Sequence, residues 1–198
     1  RVADAIAEQA RILPYISPFM ATEVRARLGR KLAELLPGEL EKVFFTLGGA
    51  DANEHAVKIA RQATGKPRGV VIARDRSYHG ATYLAMALSG DTRTRTQVDP
   101  DALGVSHVEP PYAYRCPFVS NDDAKCGERA ARAVADRIDH FGADRVAAVI
   151  MEPNAGSNGI VAPAAVTLPS RRIRRSASGQ PPISSATLPS TPRDLAML

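Results

Sequence analysis

The sequence predicts an α/β fold with a mostly parallel sheet flanked by helices. Two short runs, residues 69–73 and 146–151, are continuously apolar and rich in valine and isoleucine, the pattern of strands buried on both faces. Amphipathic stretches of helical period alternate with strand-like runs up to Pro163, and such alternation builds parallel sheets.

The elements follow in chain order. Residues 1–9 read as a helix already in progress, without the apolar core or cleavage site of a signal peptide, so the chain is expected to begin inside a longer protein. Thr22 caps a helix through Leu36, with Val24, Leu28, Leu32, Leu35 and Leu36 on one stripe, and Pro37-Gly38 ends it. Residues 43–46 are β-formers and read as a strand that stops at Gly48-Gly49; a helix over 51–63 starts at once. The strand at 69–73 leads to Tyr78-His79-Gly80 and a helix-like stretch to Leu88. Residues 91–106 are polar and turn-rich, 105–108 form a weak strand, and 110–127 read as a long loop. Ala130, Ala133, Val134, Ile138 and Phe141 mark an amphipathic helix. The strand at 146–151 is left through Glu152-Pro153.

Composition narrows the class. The chain has 198 residues, 44% hydrophobic and 24% charged, as expected of a globular protein. No apolar run approaches a membrane span, so no membrane role is expected. Tryptophan is absent and aromatics are 5%, which argues against stacking platforms for nucleic acid. Cys116 and Cys126 do not make a disulfide framework and have no zinc-ligand spacing around them; they read as ordinary thiols in a loop, with no metal site. The net charge of +5 resides mostly in residues 164–198, which hold five arginines and one acid. That segment also holds five prolines and no sustained period, and reads as disordered or aberrant. The expected organisation is a helical segment at 1–40, an α/β domain at 41–163 and the tail. A basic arm for RNA or a membrane is the rival reading of the tail.

Three strand ends carry candidate chemistry. Gly48-Gly49-Ala50 joins a strand-like run to a helix N-terminus, where bare N–H groups and the positive dipole end suit a phosphate. Asp51 and Glu54 in the first turn could instead satisfy that helix end themselves, and both readings stay open. Ser77-Tyr78-His79-Gly80 offers a flat ring and a group titrating near neutral pH; alone it reads as core-edge packing and a carbonyl cap. Glu152-Pro153 precedes a glycine-rich loop, and alone it reads as a loop organiser. Together the three suggest one composite pocket for a phosphorylated, planar ligand.

Phe-Phe-Thr-Leu-Gly-Gly-Ala-Asp-Ala-Asn-Glu-His-Ala-Val-Lys-Ile-Ala-Arg, then Ser-Tyr-His-Gly-Ala-Thr, then Pro-Tyr-Ala-Tyr-Arg-Cys-Pro-Phe, then Ile-Met-Glu-Pro-Asn-Ala-Gly-Ser-Asn-Gly-Ile-Val-Ala-Pro resembles the class III aminotransferases. The resemblance implies a fold-type I large domain that uses pyridoxal 5'-phosphate (PLP), an amino donor and a 2-oxo acid acceptor, and a cytoplasmic homodimer. The Tyr-Arg-Cys-Pro-Phe loop is similar to the branch acting on ω-amino acids with pyruvate. Carried over by position, Gly49 and Ala50 would take the PLP phosphate, with Ala50 where the family has a serine. Tyr78 would stack on the pyridine ring, His79 would lie beside it, and Glu152 would support the cofactor network.

The resemblance also implies a Schiff-base lysine and an acid at the pyridine nitrogen, in segments beyond the Glu-Pro loop. The chain's lysines are Lys31, Lys42, Lys58, Lys66 and Lys125, none in such a context. The expectation is therefore a truncated, inactive and poorly soluble fragment with no catalytic residue of its own. The alternative is a non-catalytic PLP- or phosphate-binding module.

Overall fold

The computed structural model describes residues 1–36 and 40–161. The expected Pro37-Gly38 helix stop and the tail at 164–198 lie outside them. Two compact units divide the chain, Arg1–Phe44 and the residues from Phe45 on.

The first unit carries helices α1 (Val2–Ile12) and α2 (Glu23–Leu35). Thr22 caps α2 as expected, its hydroxyl accepting from the Arg25 N–H at 3.3 Å.

The second unit is a three-layer α/β sandwich. Its order is α3 (Gly49–Ala63), β1 (Val70–Arg74), α4 (Tyr83–Leu88), α5 (Thr92–Arg95), β2 (Val105–Val108), α6 (Asp123–Phe141) and β3 (Val146–Val149). The sheet order is β2-β1-β3, with both pairings parallel. Strand alternation sorts the core into two halves. Val71 and Ala73 pack with Val57 of α3 and Ala87 and Leu88 of α4, while Val70 and Ile72 pack with Val134, Ile138 and Phe141 of α6. All five residues of β1 are buried. This is why the run reads as apolar without a break.

The parallel arrangement puts the carboxyl ends of all three strands on one edge. Helices α3 and α4 cover one face and α6 the other, and the region beyond the carboxyl end of β1 is where ligands of open α/β sheets sit.

Three expectations are corrected. Residues 43–46 are not a strand: none of the three strands pairs with them, and β-propensity without a ladder leaves extended chain, with Phe44 65% exposed. Helix α6 begins at Asp123, inside the expected loop, because the Asp122 side chain caps it by accepting from Lys125 N–H at 3.1 Å. The cysteines are not free thiols: Cys116 and Cys126 form a disulfide that ties the 110–120 loop to the first turns of α6. Ten positions of sequence separation close a short loop, for which chain entropy gives about 2–3 kcal/mol. Reduction is expected to lower the melting temperature by several degrees in thermal denaturation with and without dithiothreitol. A Cys116→Ser/Cys126→Ala chain should melt at the reduced value and ignore the reductant.

Candidate functional site

The site is built from the loops that leave β1 and β3 and from the start of α3. Gly48 is the N-cap of α3, and its carbonyl takes the Ala52 N–H at 2.9 Å. A Cβ at Gly48 or Gly49 would meet nothing within 4 Å, so the turn faces open space. Among the described residues no acceptor meets the N–H of Gly49 or Ala50. Asp51 Oδ2 instead accepts from Leu47 N–H at 3.1 Å. Glu54 Oε1 accepts from the Thr82 hydroxyl at 2.6 Å and Leu84 N–H at 3.1 Å, capping α4 rather than its own helix. The two acids thus leave the α3 N-terminus with bare donors and a positive dipole end.

The 77–81 loop lies directly on that terminus. Gly80 has φ +129°, and a Cβ there would come within 2.5 Å of Ala50 Cβ and 2.8 Å of Ala50 Cα. Asn53 Nδ2 donates to the His79 carbonyl at 2.7 Å, a second tie between α3 and the loop. His79 N–H donates to Ser89 Oγ at 2.8 Å. The loop is therefore held from both sides, and Tyr78 is left 42% exposed at the strand ends.

The β3 loop completes the cluster. Glu152 Oε2 accepts from the backbone N–H of Tyr78 at 3.2 Å, and its carbonyl accepts from Arg74 Nη2 at 3.0 Å. Asn158 Nδ2 donates to the Ser77 carbonyl at 3.4 Å. Ala155 and Val161 exchange both backbone hydrogen bonds, closing the glycine-rich loop into a narrow hairpin. The structure thus links Ala50 to Gly80, His79 to α3 and Tyr78 to Glu152, so the five expected cofactor residues share one strand-end cluster.

Electrostatics singles out His79. The ring is buried, its Nε2 has no hydrogen-bond partner, and burial with His107 and Arg74 nearby lowers its pKa to about 4. It is a neutral imidazole with one nitrogen unsatisfied, so it does not cap a carbonyl through Nε2. Arg74 is also buried, with its own pKa lowered by burial and partly restored by Glu152.

Sequence reasoning missed Arg74 and Asn53. Arg74 had a usable signal: a cation ending an otherwise apolar strand must find a partner. Asn53 had none, since an asparagine in a first helical turn is ordinary. No cluster of three or more His, Cys, Asp and Glu among the described residues could hold a metal ion. No helix among them is long and apolar enough to cross a membrane.

The family model for Aminotransferase class-III matches residues 1–172 of the chain, running past Pro163. A probable aminotransferase of Mycobacterium tuberculosis is 38% identical over 165 residues, 81% of this chain and 35% of its own length. The taurine–pyruvate aminotransferase of Rhodobacter capsulatus is 33% identical, covering 83% of this chain and 36% of its own. Among solved structures, the taurine:2-oxoglutarate aminotransferase of Bifidobacterium kashiwanohense, in complex with PLP and glutamate, superposes with a TM-score of 0.72 at 34% identity, over 84% of this chain and 37% of that one. The chain thus spans a little over a third of the length of these relatives.

Proposed function

Because this chain belongs to the class III aminotransferases, PLP-using enzymes of fold type I, we propose that its parent activity moves an amino group from an ω-amino acid to a 2-oxo acid such as pyruvate. The observation that carries the site reading is the convergence at the β1 end: Gly80 against Ala50, and Tyr78 N–H on Glu152. The ω-amino acid reading is supported by the taurine–pyruvate relative and by the Tyr114-Arg115-Cys116-Pro117-Phe118 loop.

The residues present fit PLP. The bare N–H groups of Gly49 and Ala50 suit its phosphate, the exposed Tyr78 ring suits a flat heterocycle, and the buried, unpartnered His79 Nε2 suits a polar atom of the ligand. When bound, the cofactor would supply an electron sink for the C–H bond at the substrate's amine-bearing carbon. The chain's own part is to bind and orient: Glu152 holds the Tyr78 backbone, and Arg74 holds the Glu152 carbonyl.

We also propose that this chain by itself binds PLP without a covalent bond and does not turn over. Lys58 is exposed on α3, and Lys66 Nζ is tied to the Ala143 and Val146 carbonyls at 2.8 and 2.7 Å. Lys31 and Lys125 pair with Glu34 and Asp122 on the surface. A domain organisation of 1–40, 41–163 and a tail at 164–198, and a homodimeric parent, belong to the same proposal. Cytoplasmic residence is part of it too, and the Cys116–Cys126 bond is the observation that stands against it, since cytosolic thiols are kept reduced.

Absorbance titration with PLP should show saturable binding that dialysis reverses. Borohydride should leave no PLP mass on any lysine, and taurine with pyruvate should give no alanine. PLP fixed to one lysine together with turnover would refute the inactivity. Absence of saturable binding would refute the cofactor site.

A further inference from the structure

We propose that Arg76 is the anion-recognition residue of this site, taking the carboxylate or sulfonate end of the substrate; the proposal rests on the ω-amino acid reading above. Arg76 is a non-glycine residue at φ +61°, a backbone conformation that side chains other than glycine, asparagine and aspartate seldom take. The cause is visible. Gly90 presses on the end of β1 so closely that a Cβ there would lie 2.3 Å from the Arg74 carbonyl oxygen, 2.4 Å from Asp75 Cα and 2.5 Å from Arg76 N. Arg76 N–H then donates to the Gly90 carbonyl at 3.0 Å, and the chain turns left-handed at that residue.

The turn sends the side chain into the junction of all three strand-end loops. Its guanidinium lies 5.4 Å from the ring centroid of Tyr112, in the loop after β2. A Cβ on Gly159, in the loop after β3, would sit 3.9 Å from Arg76 Nη1. Arg76 is exposed, and among the described residues no hydrogen-bond acceptor or carboxylate meets its guanidinium. An arginine stacked by its face on an aromatic ring keeps its N–H edge available, and that edge matches carboxylate and sulfonate oxygens.

The other cations near the β1 end are committed. Arg74 is buried and donates to the Glu152 carbonyl, and Arg93 is bidentate on Asp91. The carboxylate of the cofactor cluster, Glu152, is turned onto Tyr78 N–H. An ω-amino acid presents an amine at one end and an acid at the other. With the amine directed to the cofactor beside Tyr78, Arg76, two residues away, is among the described residues a cation whose N–H edge is open to the acid.

The test uses the 198-residue chain and small probes that carry one end each. Ethanesulfonate and propionate represent the donor's acid end, pyruvate the acceptor, and ethylamine the amine end. Nitrogen-15 NMR should show saturable shifts at the Arg76 Nε–H and Tyr112 resonances with the anions and none with ethylamine; the tighter anion identifies donor or acceptor as the source. Arg76→Met should weaken anion binding at least tenfold, and Arg76→Lys, which keeps the charge but loses the fork, by less. Thermal melts verify that both variants fold; if Arg76→Met does not, Arg76→Lys binding anions as tightly as the parent chain would overturn the proposal. Anion binding in Arg76→Met within twofold of the parent chain, or shifts confined to the α3 N-terminus, would overturn it too. PLP titration of the same samples separates the two readings: lost PLP binding with intact Arg76 shifts sinks the transaminase reading and leaves the anion site standing, while the reverse pattern sinks the anion site alone.

Discussion

Gly80→Ala is expected to lower the melting temperature by more than about 10 °C and to weaken PLP binding at least tenfold. Two costs add. Alanine at φ +129° is strained by its own backbone, at about 1–3 kcal/mol. Its Cβ would also stand 2.5 Å from Ala50 Cβ, 2.8 Å from Ala50 Cα and 3.1 Å from Ala85 Cβ, and forcing these apart costs about 1–3 kcal/mol more. The side chain has nowhere to turn, because one contact is helix backbone. Relief must come from lifting the 77–81 loop off α3, which breaks the Asn53–His79 hydrogen bond and moves Tyr78 from its place beside Glu152. Stability and ligand binding therefore fall together. The double variant Ala50→Gly/Gly80→Ala isolates the steric part: removing the Ala50 methyl relieves the closest contact and leaves the φ strain, so it should recover part of the loss and not all. Calorimetry of the parent chain, Ala50→Gly, Gly80→Ala and the double variant, with PLP titration of each, gives both quantities. A Gly80→Ala chain that melts within 2 °C of the parent chain refutes the close approach.

What the residues disclosed in advance follows from how local each signal is. The buried strands were legible because burial on both faces forces an unbroken apolar run, as at Val70–Ala73. The start of α2 was legible because Thr22 caps it within its own turn. The strand expected at 43–46 failed because a strand needs a ladder, and pairing is not written in the run itself. The disulfide failed for a similar reason: Cys126 is buried on a helix turn that its neighbours Asp122 and Asp123 made look like loop. At the site, the glycine turn was legible as a class of place but not as a choice between two uses. Where the two acids go is set partly by distant residues. Glu54 is drawn off by Thr82 and Leu84, 28 and 30 positions away, which no local pattern encodes. The resemblance supplied the remaining order, since it implies one cofactor for Gly49, Tyr78 and Glu152 whatever the local readings allow.

The second large effect is a loss of stability as pH falls from about 6.5 to about 4, set by His79. Folding lowers its pKa from the ordinary 6.5 to about 4, so the unfolded chain takes up the proton first. With a folded-state value below the unfolded one, the imidazole costs nothing above pH 6.5. The penalty grows as pH falls and levels off below pH 4. Integrated over that shift the loss is about 3 kcal/mol, of which about 2 kcal/mol has accrued by pH 5. The physical cause is burial of a ring whose Nε2 has no partner to share a charge, with Arg74 and His107 opposing any charge placed there. Asp91 acts in a separate window: its pKa is lowered chiefly by the Arg93 hydrogen bond, so its stabilisation is kept through this range and is lost only below the ordinary carboxylate pKa. Urea midpoints at pH 7.5, 6, 5 and 4.5 should therefore fall steadily. In His79→Gln, which keeps the backbone and cannot titrate, the same series should be nearly flat. An equally steep fall in His79→Gln assigns the effect to carboxylates and overturns the account. Binding to the folded state is expected to lack this dependence. Since the folded chain keeps His79 neutral at pH 5, PLP bound to the folded state should be held there by the same imidazole as at pH 7.5, and added PLP should raise the midpoints at both pH values.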